Sequence, residues 1–187
     1  MIIPLPAKLG LIYVTSELAL SLLRRSGTKS KRRDSGSLAV LWITITMAMF
    51  AGVLVSQLSP AFRYPLASPV AQILGLLFAA GLVLRWWAII SLGKFFTVDV
   101  AIAEDHQLIV RGPYHLMRHP SYTGMLLAFF ALAVTFQNWL SILCILVPIS
   151  AAMAYRIYVE EIALEHTFGD AYHAYAKSTK RLIPGVF

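Results

Sequence analysis

Apolar residues in this chain come in long blocks, not at a short period. Ser37–Leu58, SLAVLWITITMAMFAGVLVSQL, carries no charge at all. As a helix rising ~1.5 Å per residue, a block of this length crosses ~30 Å of hydrocarbon. A second such block covers residues 70–92, and shorter ones cover 9–23, 122–136 and 140–155. The pattern predicts five spans. The first is the weakest, being short and holding Glu17. Only Gln137, Asn138 and Trp139 separate the last two, which predicts a tight antiparallel helical hairpin. Arg85, Trp86 and Trp87 lie near the far end of the third block and read as interface anchors.

The pattern changes at residue 159. Ile162, Leu164, Phe168 and Tyr172 recur at loosely helical spacing among charges, with a break expected at Gly169. Residues 159–177 therefore read as a helical cap in water, not a sixth span. The start, MIIPLPAKLG, lacks a compact charged region followed by a small-residue cleavage site, so the first block is expected to stay in the mature protein. The expected fold class is all-α, a multi-pass transmembrane bundle of about five spans. Residues 1–92 would form three N-terminal spans. Residues 93–187 would form the half that carries the chemistry.

Composition agrees. The chain is 58% hydrophobic and 13% charged, against about a quarter charged in soluble domains. The net charge of +7 would suggest a nucleic-acid surface if it were spread evenly. It is not: six of the 16 Lys and Arg residues fall in RRSGTKSKRRDSGS, after the first span. Lys94, Arg111 and Arg118, then Lys177, Lys180 and Arg181, fall on the same side of a five-span chain. Lys8 and Arg63 fall on the other. The positive-inside rule puts the N-terminus outside and the C-terminus in the cytoplasm. Basic loops then meet anionic membrane lipids, and no nucleic-acid partner is needed. The single cysteine, Cys144, lies in an apolar run, reads as a small buried hydrophobe, and excludes an internal disulfide.

Four polar features converge on the cytoplasmic side. They are the segment EDHQLIVRGPY, the run RHPSY opening the fourth block, Arg156 with Glu160-Glu161 closing the fifth, and FGDAYHAY. Adjacent antiparallel spans bring RHPSY and Arg156/Glu160 to one membrane level. Each has a plain structural explanation. Pro120 suits a first helical turn, Arg118 and Tyr122 suit an interface, and Arg156 and Glu160 suit an i, i+4 surface pair. Against the last, Arg156 follows SAAMAY, where an ionisable group is expensive and tends to mark function. His115 and His119 have no obvious third ligand, so no metal site is expected. Glycine-rich phosphate loops are absent.

Together these motifs resemble the isoprenylcysteine carboxyl methyltransferase family. The resemblance is carried by His106-Gln107-Leu108-Ile109, Gly112, Tyr114, Arg118 to Tyr122, Arg156, Glu160 to Leu164, Phe168 to Tyr175, and the ending RLIPGVF. It covers about residues 94–187. It implies an integral-membrane methyltransferase using S-adenosyl-L-methionine in a cytosolic pocket. Carried over, His106, Gln107, Leu108, Ile109, Tyr114, His119, Pro120, Ser121, Tyr122 and Glu160 would line the cofactor pocket, with Ala101 as an upstream counterpart. Arg156 would face the methyl acceptor, and Arg156 with Glu160 would form the catalytic pair. The chemistry suits the residue types. A carboxylate acceptor is already a nucleophile at neutral pH and needs a cation to orient it, which a planar guanidinium does well. The acceptor would be a lipid-tailed small molecule or a prenylated chain.

Other readings stay open at this point. A phospholipid or other amine N-methyltransferase of the same membrane group would need a base for a protonated acceptor, and Glu161 or a histidine could serve. A sterol-type reductase would want a basic cluster for a nicotinamide phosphate, and none is evident. A non-catalytic scaffold or small transporter would show repeats or polar midplanes, and spans two, four and five show little of either.

Overall fold

The computed structural model describes residues 3–23, 31–32, 36–93, 101–102 and 108–185. The fold is all-α. Its helices are α1 (Leu5–Leu23), α2 (Ser37–Leu58), α3 (Ser68–Leu92), α4 (Pro120–Val134), α5 (Trp139–Phe168) and α6 (Asp170–Ser178). Two-residue strands β1 (Lys31–Arg32) and β2 (Ala101–Ile102) pair antiparallel between two connections. Among the described residues, α1, α2, α3 and α5 are long and apolar enough to cross a membrane, and α4 is a shorter apolar helix. With 15 residues, α4 reaches only about 22 Å. Leu11, Ile43, Leu76, Val83 and Val147 are each more than half exposed on the outer faces of these helices. In water such a surface would drive association; in hydrocarbon it is solvated. The chain is an integral membrane protein.

Glycines decide which helices meet. A Cβ on Gly81 of α3 would lie 2.6 Å from the Gly124 carbonyl oxygen of α4. One on Gly124 would lie 2.5 Å from the Gly81 oxygen. Between membrane helices, where no hydrophobic drive distinguishes partner from lipid, such close backbone approach supplies the packing energy. Gly52 of α2 plays the same part against α5, where its Cβ would strike Ile145 at 2.5 Å. Ser141 adds a hydrogen bond of 2.9 Å to the Gly52 carbonyl. Hence α4 packs chiefly on α3 and α5 chiefly on α2. This corrects the expected tight α4–α5 hairpin: the two are joined by a short turn but divided between two glycine-sealed pairs.

That turn is well fixed. Gln137 takes φ 55°, and Asn138 caps α5 by accepting from the Ser141 amide at 3.1 Å. Asn138 also donates to the Ser59 carbonyl at 2.9 Å, tying the turn to the α2–α3 connection. At the other end α5 extends into flanking residues, as its short apolar block predicts, but it reaches further than expected. It continues unbroken for 30 residues to Phe168, so residues 159–168 belong to the fifth helix and not to a separate cap. The break does fall at Gly169, whose φ of 48° turns the chain into α6. Cys144 is half-buried, not buried as expected.

Candidate functional site

The start of α4 and the far end of α5 meet where the two helix pairs diverge. Pro120 occupies the first turn of α4, where its missing N–H leaves no donor unpaired. Two residues on, the Tyr122 hydroxyl donates to Glu160 Oε2 at 2.8 Å. The hydroxyl oxygen itself accepts from Arg156 Nε at 2.9 Å. Arg156 also donates to Ser37 Oγ, at the start of α2, at 2.9 Å. The residue is only 4% exposed. The i, i+4 residues of α5 are thus linked through a tyrosine of α4, inside the bundle.

Glu161 faces another direction. Its Oε1 accepts from Arg118 Nε at 3.0 Å and meets His119 Nε2 at 3.3 Å. Its Oε2 accepts from Arg181 Nε at 2.9 Å. His119 Nδ1 lies 4.0 Å from Glu160 Oε2, so this buried imidazole stands between the two carboxylates. Arg118 is therefore no interface anchor. It also donates to the carbonyls of Ala176 and Thr179, each at 2.7 Å, drawing the C-terminal segment onto α4.

A second buried guanidinium belongs to Arg85, also read from the sequence as an anchor. It donates to both oxygens of Glu17, at 2.6 and 2.7 Å, and to Ser121 Oγ at 2.8 Å. Trp86 donates to Ser16 at 2.8 Å, while Trp87 alone of the trio is largely exposed. The correction has a plain cause. A charge at this depth is costly unless paired, and Glu17 of α1 supplies the partner. Two ionisable residues in separate apolar blocks were the sequence signal for this pair.

Most of these groups border one cavity of about 710 Å³, with Glu161, Arg181 and Ser37 outside its lining. Its polar end holds Arg85, Glu17, His119, Tyr122, Arg156 and Glu160. Its apolar end runs between α1, α2 and α4 along Val14, Leu41, Ile45, Met49 and Phe129. Tyr13 of α1 packs at a tilt against Phe129 there, with ring centroids 4.7 Å apart. Of the sequence-predicted residues, Leu108, Ile109, Tyr114, His119, Ser121, Tyr122, Arg156 and Glu160 line the cavity. Pro120 does not; it is fully buried behind the wall. His106 and Gln107 lie outside the described residues, and Ala101 is described only as backbone in β2. Sequence reasoning missed Glu17, Arg85, Tyr13, Tyr172 and Tyr175. For the last two the FGDAYHAY motif was the available signal.

Burial raises the Tyr114 phenol, helped by the Glu160 charge. Burial likewise pushes Tyr175 up to about 12 and raises Tyr172. Tyr175 donates to the Tyr114 carbonyl at 2.6 Å. The buried Tyr172 hydroxyl stands near Glu161 but makes no hydrogen bond of acceptable geometry. A buried polar atom in a cavity wall without a partner is a place where a ligand atom gains a bond.

Comparison with known proteins bears on this geometry. The family model described as phospholipid methyltransferase matches residues 70–171. Protein-S-isoprenylcysteine O-methyltransferase B of Arabidopsis thaliana is 36% identical over 108 residues, 57% of this chain and 55% of its own. The A form from the same plant is 37% identical over 108 residues, with the same shares covered. The match thus spans little more than half the length of these relatives. Among solved structures, a eukaryotic intramembrane Ras methyltransferase, an isoprenylcysteine carboxyl methyltransferase, superposes with TM-score 0.63 at 25% identity. That superposition covers 94% of this chain and 63% of the other.

Proposed function

Because the chain belongs to the isoprenylcysteine carboxyl methyltransferase family, among the membrane proteins that the phospholipid methyltransferase model describes, we propose that it is an S-adenosylmethionine-dependent carboxyl O-methyltransferase. Its acceptor is a lipid-tailed, prenylcysteine-like carboxylate. The observation that carries this reading is the two-ended cavity, with buried Arg156 at its polar end and an apolar channel between α1, α2 and α4. A molecule with a charged head and a long hydrocarbon tail fits both ends at once.

The donor side is the wall of Tyr114, His119, Tyr172, Tyr175 and Glu160. S-adenosylmethionine, when bound, supplies a methyl group already activated on a sulfonium, so the protein's task is positioning. The residues present suit that cofactor. Aromatic faces attract a sulfonium cation, Glu160 can accept from an ammonium, and the backbone at Leu108 and Ile109 can pair with the adenine edge. Ala101, His106, Gln107, Ser121 and Pro120 complete the donor side in this reading. Pro120 acts from behind the wall, and Ser121, in the wall itself, also holds Arg85. Arg156 orients the acceptor carboxylate, and Tyr122 holds Arg156 and Glu160 in register. Residues 1–92 supply α1 and α2 to the acceptor side, and residues 93–187 supply α4 and Arg156 to it and form the donor side. The C-terminus and this site face the cytoplasm in this reading, with the N-terminus outside, the orientation that the basic loops favour.

An amine acceptor needs a base. Glu161 is poorly suited, because Arg118, His119 and Arg181 already hold it and it does not line the cavity. The test is labelled-methyl transfer by purified protein, comparing a farnesylated cysteine analogue with phosphatidylethanolamine. Transfer to the first and not the second is expected. Transfer only to the amine lipid overturns the carboxylate assignment. Absence of thermal stabilisation by millimolar S-adenosylhomocysteine overturns the enzyme reading altogether.

A further inference from the structure

We infer that Glu161 is a positioning residue, the centre of a clamp that fastens the C-terminal segment against α4 and so builds one wall of the donor pocket. This deepens the donor-side reading above and rests on it for the identity of the ligand.

The wall in question is α6, whose Tyr172 and Tyr175 line the cavity. A helix of nine residues has little stability of its own. Besides its junction with α5 and the bonds to Arg118 and Tyr114, it is held by the chain on its C-terminal side, and that segment is bonded densely. Met117 and Lys180 form a parallel bridge. The Arg118 amide donates to the Lys180 carbonyl at 2.8 Å and the His119 amide to the Arg181 carbonyl at 2.9 Å. Thr123 Oγ1 donates to the Leu182 carbonyl at 2.9 Å. The two amide bonds satisfy donors at the start of α4 that have no partner within the helix.

Glu161 joins the same two stretches of chain through side chains. One oxygen takes Arg118 and His119 from the α4 side. The other takes Arg181 from the C-terminal side, with Nε at 2.9 Å and Nη2 at 2.8 Å. Arginine bonds to a carboxylate are charge-assisted and of the strong kind. The two arms differ in setting. The Arg118 and His119 side chains are 11% and 2% exposed, whereas Arg181 is 44% exposed. The inner arm is fixed and the outer arm is the one that water can loosen. Glu161 does not line the cavity itself, so it acts through the residues that it holds.

The experiment compares Glu161→Gln and Arg181→Ala with the full-length wild type in detergent. Hydrogen exchange at the Arg118 and His119 amides reads the clamp directly, without any ligand. Glu161→Gln is expected to speed exchange there by about tenfold and to weaken S-adenosylhomocysteine by about tenfold. The acceptor KM should move less than about twofold. Arg181→Ala, at the surface, should act in the same direction by roughly threefold, and keeps the test open if the Gln variant fails to fold. Protection within twofold of wild type in both variants overturns the clamp. So does an acceptor KM that shifts as far as the cofactor affinity. Failure of the wild type to bind S-adenosylhomocysteine would remove the donor-side reading, and the exchange measurement would then still decide the clamp.

Discussion

Two buried guanidiniums border the same cavity, and they are held in opposite ways. Arg156 is bonded to neutral hydroxyls, Tyr122 and Ser37, with the Glu160 carboxylate reached through Tyr122. Arg85 meets a carboxylate directly, with both oxygens of Glu17 within 2.7 Å of its nitrogens. In the proposed function, Arg156 at the polar end of the cavity is the group that meets a charged acceptor head. Arg85 is left as a tie between α1, α3 and α4 through Glu17 and Ser121.

If that division holds, Arg156→Ala should cause the largest loss of turnover. Removing one preorganised group at a reacting centre costs roughly 10²–10³-fold in kcat. Affinity for S-adenosylhomocysteine, measured by calorimetry, should change little. Retention of full methylation of a carboxylate acceptor would put the acceptor elsewhere. Arg156→Lys should recover only part, since an ammonium cannot form the planar fork.

The Arg85 side of the comparison predicts a stability effect. Glu17→Gln leaves a buried cation without its counter-charge, which costs on the order of 3–5 kcal/mol. The double change Glu17→Leu with Arg85→Met removes both charges and should melt closer to wild type than either single change. Thermal unfolding in detergent decides this. Should Glu17→Gln instead leave the melting temperature intact and only raise the acceptor KM, Arg85 would join Arg156 as an acceptor group.

The same contrast marks what could be read from sequence. Arg156, Glu160, Tyr122 and His119 stood out because they occur in spaced motifs within a short stretch of chain. Glu17 and Arg85 are 68 residues apart and carry no motif. Each looked like a local feature, a blemish in a weak span and an interface anchor. Only the packing of α1 on α3 and α4 makes them one pair. The helices themselves were legible, because a membrane demands long apolar blocks. Their partners were not. The glycines that seal α3 to α4 and α2 to α5 are scattered among several others, and facing is a property of three dimensions. The continuation of α5 past residue 159 was hidden for a related reason: polarity rises where the helix leaves hydrocarbon, although its backbone does not change.

Glu160→Gln tests the linkage between the two sides of the Arg156 cluster. The amide keeps a bond to the Tyr122 hydroxyl but loses the charge that a donor-side ammonium would meet. A hydrogen bond to a charged group is worth about 1.5–3 kcal/mol, so S-adenosylhomocysteine affinity should fall roughly tenfold to a hundredfold. Acceptor KM should rise far less. Equal losses on both would mean that Glu160 serves chiefly to hold Tyr122 and Arg156.

Among the groups bordering the cavity the smallest expected effect is at Tyr172, and it separates a wall that would touch the methyl donor from one that would only enclose it. Tyr172→Phe removes a buried hydroxyl that lacks a well-formed bond in the protein, so folding should be unaffected or slightly improved. If a ligand atom completes that bond, cofactor affinity should drop by about fivefold, the worth of one neutral hydrogen bond. Calorimetry on the Phe variant beside its thermal midpoint reads both at once. A raised midpoint with unchanged affinity would assign the hydroxyl to the Glu161 side of the wall, where it would be one more group that the clamp must accommodate.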